Sequence, residues 1–253
     1  MQDQTFIPGK DAALETSIAS MQDKLLKLGF HIEEASWLNP IANVWSVHIR
    51  DRDCPMLFTN GKGSSQKAAL ASALGEYFER LSTNYFWADF YLGKTIANSK
   101  FVHYPQEKWF ALPKNNNLPT GLLDDATQAF YDPEASLEAS KLVDLNSGNE
   151  QRGICALPYS RQRDGVTVWF PVNIIGNLYV SNGMSAGNTP TEARTQALSE
   201  IFERHIKFRI IAEAICLPDV PTEVIARYPH IQAGIEELRA AGFGILVKDA
   251  SLG

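Results

Sequence analysis

Ala73-Leu74-Gly75-Glu76-Tyr77-Phe78-Glu79-Arg80 returns as Ala197-Leu198-Ser199-Glu200-Ile201-Phe202-Glu203-Arg204, with six of eight positions identical and every matched pair 124 residues apart. The shared core is Glu-x-x-Glu-Arg with a Phe before the second acid. On a helix, residues three apart share a face with their Cβ atoms about 5–6 Å from each other. Two such helices set side by side would present four carboxylates and two guanidinium groups. That composition suits divalent cations better than it suits a core.

The repeat runs further upstream. Gly63 aligns with Gly187, Ser65 with Thr189 and Ala69 with Ala193. Each copy therefore passes from a Gly- and Ser-rich stretch, through a Ser or Thr of N-cap type, into the acidic helix. The second copy adds Pro190 at the first helical position and Glu192 in the first turn, both favoured there. Exposed first-turn amides beside a carboxylate cluster suit an anion together with its metal counter-ions. A plainer reading also exists, because Glu four residues before Arg is an ordinary surface pair worth about 0.2–0.5 kcal/mol. The recurrence of both acids, the arginine and the loop favours the functional reading.

Composition narrows the classes. The chain has 253 residues, 45% of them hydrophobic and 21% charged, which fits a globular protein with ample core. Net charge is −6 and there is no run of Lys or Arg, so nothing encourages direct nucleic-acid binding. The start, Met-Gln-Asp-Gln-Thr-Phe, lacks the basic and apolar regions of a signal peptide, and no apolar run is of membrane-spanning length. A cytoplasmic protein is expected. Cys54, Cys155 and Cys216 are scattered and form no C-x-x-C pair, and Cys155 reads as a small buried hydrophobe. His31, His48, His103, His205 and His230 compose neither a zinc-ligand spacing nor a nucleophile partner set.

The predicted elements alternate. A helix is expected over 11–29, with Leu14, Ile18, Met21, Leu25 and Leu28 in period and Gly29 as its stop. Strands are expected at 44–49 and 56–58, joined by Asp51-Arg52-Asp53, and then a glycine loop around Gly61-Lys62-Gly63 and a helix to about Tyr85. Residues 86–133 read as irregular, with Asn115-Asn116-Asn117 as an exposed tip. Further strands are expected at 141–145, 153–158, 166–170 and 177–180, then the glycine loop 181–188, a helix to about Ile215, short helices, and a strand at 242–247. The fold class is α/β, built on a pseudo-repeat of strand, glycine loop and acidic helix, with half-repeats over about 40–90 and about 141–215. The chain ends at Gly253 just after an expected strand, so a piece of a longer domain is expected.

Familiar nucleotide motifs are absent. A P-loop read through Gly61-Lys62-Gly63-Ser64 would need its first glycine at Met56 or Leu57, and the third glycine of a dinucleotide fingerprint is replaced by Gln66. Any nucleotide here is held in another way.

Phe6-Ile7-Pro8-Gly9-Lys10-Asp11, Asn60-Gly61-Lys62-Gly63, the two acidic phrases, and Ser181-Asn182-Gly183-Met184-Ser185-Ala186-Gly187-Asn188 together resemble the YcaO domain family, and its bacterial founder in particular. The similarity covers the chain to Gly253. It implies an unusual ATP-binding fold in which carboxylates hold Mg²⁺ and the ions hold the triphosphate. Relatives activate a peptide amide oxygen by phosphoryl transfer in azoline- and thioamide-forming enzymes. The founder is associated with β-methylthiolation of an aspartate in a small-subunit ribosomal protein, as accessory to a radical-SAM methylthiotransferase. By that resemblance Glu76, Glu79, Glu200 and Glu203 bind Mg²⁺ and its nucleotide, while Lys10 and Arg204 contact phosphates, Arg204 with a catalytic part. Ser17, Ser185, Asn188 and Glu192 complete the nucleotide pocket or its metal shell. The family's C-terminal half, which supplies a further arginine, is not in this chain, and homodimerisation is a family expectation.

Three function classes are consistent with these residues. The first is an ATP-using enzyme that activates a peptide amide or a carboxylate. The second is a non-catalytic interaction module for a methylthiotransferase. The third is a carboxylate-bridged transition-metal enzyme, which usually carries Glu-x-x-His pairs. Here the second position is Glu in both copies, which favours Mg²⁺ over iron.

Overall fold

The computed structural model describes residues 4–83, 86, 106–143, 151–177 and 182–252. The chain divides into two units, Met1–Thr83 with Asn182–Gly253, and Asn84–Ser181. All the candidate site residues fall in the first.

The first unit opens with helix α1 (Leu14–Lys27), closed by Gly29 at φ +92°, as its apolar period predicted. A three-stranded antiparallel sheet follows in the order β1-β2-β3: β1 (Ile32–Ile41), β2 (Val44–Asp51) and β3 (Phe58–Gly63). Strand β1 had no counterpart in the sequence reading. Its side chains are mostly exposed and include Pro40, so alternation was weak. Asn43, at φ +59°, takes the left-handed position of the two-residue turn into β2.

Helix α2 (Gln66–Ser82) lies on this sheet, its buried face formed by Ala68, Ala69, Ala73, Leu74 and Tyr77. Ser65 caps it by accepting the Ala68 amide. Gly61-Lys62-Gly63 is not a loop, as expected, but the end of β3. A Cβ on Gly61 would lie 1.9 Å from the Ala69 carbonyl oxygen, and one on Gly63 would lie 2.6 Å from the Ala69 amide nitrogen. The glycines allow helix and strand backbones to touch, and the Thr59 hydroxyl donates to the Ala73 carbonyl across that seam at 2.8 Å. Val47, Ile49, Leu25, Leu74 and Tyr77 are buried with it, and the Phe30 ring meets Tyr77 edge-on at 5.8 Å.

The second unit holds an antiparallel sheet in the order β4-β5-β6: β4 (Lys108–Phe110), β5 (Ile154–Ser160) and β6 (Thr167–Pro171). Strands β5 and β6 match expectation within two residues. Helix α3 (Asp125–Tyr131), opened by a capping box at Asp124, lies in the stretch read as irregular. The strand expected at 141–145 begins instead in a 3₁₀ turn, Ala139–Leu142, whose Ala139 and Leu142 enter a core with Phe110, Leu122, Val143, Ile154 and Ala156, and its last two residues lie outside those described. Asn116 is no free tip, since its side chain holds the Ser140 amide at 2.9 Å. Cys155 is 1% exposed and packs as a core residue. Helix α4 (Val172–Asn177) takes the start of the strand expected at 177–180, whose other residues lie outside those described.

The first unit resumes with helix α5 (Pro190–Ala212), then α6 (Thr222–Ile225) and α7 (Pro229–Ala240). The strand expected at 242–247 forms no ladder, only a bridge between Asp219 and Lys248. A single side chain of α5, Glu192, is buried, while Leu198, Ile201, Phe202, Phe208 and Ile211 are exposed. Among the described residues, no helix is long and apolar enough to cross a membrane.

The seam between α2 and β3 gives a paired test. Gly61→Ala is expected to cost more than about 3 kcal/mol of stability, because two backbones would have to part. Gly75→Ala, where an added Cβ meets nothing within 4 Å, is expected to stabilise by about 0.5–1 kcal/mol in the same denaturant melt.

Candidate functional site

The two repeats enter their helices alike. Ser65 and Thr189 are both extended N-caps whose hydroxyls accept the amide three residues on, Ala68 and Glu192. A Cβ on Gly63 would sit 2.6 Å from the Ala69 nitrogen, and one on Gly187 would sit 2.5 Å from the Ala193 nitrogen. Residues aligned by sequence thus make the same contact in both copies, over the cap and first turn of each helix. The half-repeat expected over about 141–215 is divided between the two units, so the likeness holds for the helix entries alone.

Around the start of α5 the candidate nucleotide residues form a continuous hydrogen-bonded chain. The Ser17 hydroxyl of α1 donates to Asn188 Oδ1 at 2.7 Å, and Asn188 Nδ2 donates to Glu192 Oε2 at 2.9 Å. The Asp11 amide donates to the same carboxylate oxygen at 3.0 Å, and the Lys10 ammonium stands 3.3 Å from the other. Burial pushes the Glu192 carboxyl up, but the Asp11 amide, Asn188 and Lys10 together outweigh it and hold the group below its ordinary value. Thr189 donates its hydroxyl to the Asp11 carboxylate. Ser185 turns inward instead, donating to the Ala193 carbonyl.

Roughly three turns into each helix stand the repeated acids. Arg80 folds back on Glu76 at 2.7 Å and Arg204 on Glu200 at 3.5 Å, so the ordinary i,i+4 pairs are formed in both repeats. Glu200 also accepts the Gly183 amide at 3.2 Å. Glu79 is half-buried, and its carboxyl is raised from 4.5 to about 7, first by burial, against the pull of Arg80 and with further push from Glu76 and Glu200. The two helices therefore bring Glu79 into the field of an acid from each repeat. Glu203 is exposed, and no described residue bonds to it. Among the described residues no three His, Cys, Asp or Glu side chains gather tightly enough to hold a metal by themselves. Four mutually repelling carboxylates would not close up without a cation.

Arg204 has a further property. Its Nε is shielded from solvent and has no hydrogen-bond partner, although the side chain as a whole is 39% exposed. A buried donor left unmade costs about 1–3 kcal/mol, which an anion's oxygen would recover. Asp11 and Thr189 join the sequence-read residues here. Their contact spans 178 positions, and no local spacing announces it.

The pattern of the family described as "YcaO cyclodehydratase, ATP-ad Mg2+-binding" matches residues 60–253, more than half of the chain. The chain belongs to the YcaO family. Among YcaO relatives, the "Ribosomal protein S12 methylthiotransferase accessory factor YcaO" of Escherichia coli (strain K12) is 69% identical over 250 residues, covering 99% of this chain and 43% of that protein. A Haemophilus influenzae protein described as uncharacterized is 66% identical over 253 residues, again covering 43% of its length. The chain thus spans less than half the length of these relatives. The solved YcaO of Methanopyrus kandleri, bound with AMPPCP and Mg²⁺, superposes with a TM-score of 0.52 at 16% identity, over 87% of this chain and 51% of that one. At that identity the likeness speaks for the fold.

The raised Glu79 carboxyl makes stability depend on pH. The folded chain holds this proton up to about pH 7, whereas the unfolded chain releases it near 4.5. Its favourable contribution is complete below 4.5 and is lost as pH rises through about 7. Glu79→Gln, which mimics the protonated form, is expected to match the wild type in thermal melts at pH 4.5 and to exceed it at pH 8. An equal difference at both values would mean that Glu79 titrates as an ordinary carboxylate.

Proposed function

We propose that this chain forms the Mg²⁺–ATP site of a YcaO protein that assists β-methylthiolation of an aspartate in a small-subunit ribosomal protein. It would work beside a radical-SAM methylthiotransferase in the cytoplasm, as a homodimer. The E. coli relative's name supports the accessory role, and the family's description supports the ligand pair.

The observation that carries the ligand assignment is the junction of the two repeats. There a half-buried, proton-holding Glu79 lies in the field of Glu76 and Glu200, and Glu200 in turn pairs with Arg204, whose Nε–H has no acceptor. Excess carboxylate and an unsatisfied cationic donor fit a polyanion carried on divalent metal. Mg²⁺ takes one or two carboxylates together with waters and phosphate oxygens, so a pair of these acids is enough for it.

In this reading Glu79, Glu76, Glu200 and Glu203 would supply the metal's protein oxygens, Glu79 in its ionised form. Arg204 would offer its unmatched Nε–H to a phosphate oxygen and offset phosphoryl charge. Lys10, held by Glu192, would also offset phosphate charge, while Ser17 and Asn188 keep Glu192 oriented. Ser185 fixes the loop onto α5. Bound Mg²⁺ would neutralise the triphosphate, which leaves the protein an electrostatic rather than a covalent task.

Calorimetric titration of the full-length protein with ATP, with and without Mg²⁺, tests this. Mg²⁺-dependent binding is expected, reduced at least about 100-fold in Glu200→Gln through loss of a charged ligand. No binding by a well-folded full-length protein would overturn the ligand assignment. Binding without turnover, even with the partner present, would leave an interaction module.

A further inference from the structure

Residues 4–13 form a strap that turns at Pro8-Gly9 and closes back on the start of α1, and Lys10 lies in no helix or strand. The strap is fastened at two points. At its near end the Thr5 amide and hydroxyl donate to the Glu15 carboxylate at 2.9 and 2.8 Å, and that same carboxylate takes the Lys67 ammonium of α2 at 2.6 Å. The Thr5 carbonyl accepts the Leu14 amide at 2.9 Å. At the far end Asp11 fastens it too, with its side chain on Thr189 and its amide on Glu192.

The far fastener has an unusual economy. Thr189 is the N-cap of α5, so its hydroxyl lone pair is already used by the Glu192 amide at 3.1 Å. Its single proton is therefore free to go out to Asp11. One threonine thus ties the strap to the start of the second acidic helix without leaving any partner unmade. The Asp11 amide closes the ring on Glu192, the carboxylate that also holds Lys10. If this latch opened, Glu192 would lose its backbone donor, and Lys10 would sit at the tip of a loop tied only at its base, with its long side chain free among many rotamers.

We propose that Asp11 is a positioning residue for the nucleotide site: through Thr189 and Glu192 it sets Lys10 and the start of α5 in the arrangement that receives the phosphates. The proposal rests on the Mg²⁺–ATP reading of the site. It assigns Asp11 no contact with nucleotide and no proton transfer.

The test is a double-mutant cycle in the full-length protein, read by Mg²⁺–ATP binding and by amide hydrogen exchange without nucleotide. Asp11→Ala is expected to raise Kd about tenfold, the worth of one hydrogen bond to a charged group. It is also expected to speed exchange at the Asp11 and Glu192 amides. Asp11→Asn and Thr189→Ser keep the acceptor and the donor and are expected to restore both readouts toward wild type. In a Lys10→Ala background the further cost of Asp11→Ala is expected to fall below about threefold, because both act through the same ammonium. Full additivity, or an unchanged Kd in Asp11→Ala while Glu200→Gln still abolishes binding, would overturn the positioning role and leave the site reading standing. Failure of the wild type to bind would remove the site reading and this role with it. Faster exchange in Asp11→Ala would then identify the latch as structural only.

Discussion

Everything in the first unit depends on two backbones that touch. Helix α2 can lie on β3 only because Gly61 and Gly63 present no Cβ to Ala69 and Ala73. The same device recurs where Gly187 meets Ala193 at the start of α5. Close approach fixes where each helix begins, and a fixed beginning fixes which way its acids point three turns on. A Cβ of ordinary size at any of these glycines would push the helix outward and rotate Glu79 or Glu200 away from the other repeat.

The charges are then arranged by depth. At the start of α5 a buried carboxylate, Glu192, is matched by an amide, a carboxamide and an ammonium, and stays ionised. Farther along, Glu79 is half-buried among acids and is driven toward its protonated form. One acid is satisfied by the protein, and the other is not. Arg204 mirrors this imbalance from the positive side, with Nε shielded and unmatched. Under the proposed function, a site built in this way would hold its energy in reserve for a ligand that brings both signs of charge.

Much of this was legible in advance. The eight-residue phrase, its upstream glycine, cap and alanine, and the helix ends at Gly29 and near Ile215 all follow from local chemistry, since caps, glycines and 3.6-residue periods act over a few positions. The errors were also local in origin. Glycines at 61 and 63 suggest a loop because glycine weakens a strand, whereas they belong to one that a helix crosses closely. Strand β1 was missed because an edge strand with little burial shows little alternation. The segment 242–247 has the apolar run of a strand but only a one-pair bridge nearby, since a ladder needs a partner that sequence does not name.

The sequence by itself determined the repeat, the identity of its acids and arginines, and through its motifs the family. These are properties of residue type and spacing along one helix. Only the tertiary structure decided which acid is driven toward its protonated form, which arginine keeps a shielded and unmatched Nε, and that Asp11 clasps Thr189 across 178 positions. Burial and long-range pairing set those outcomes. The desolvation of Glu79 depends on what packs over it, and no spacing rule carries information about a neighbour that arrives from the far end of the chain.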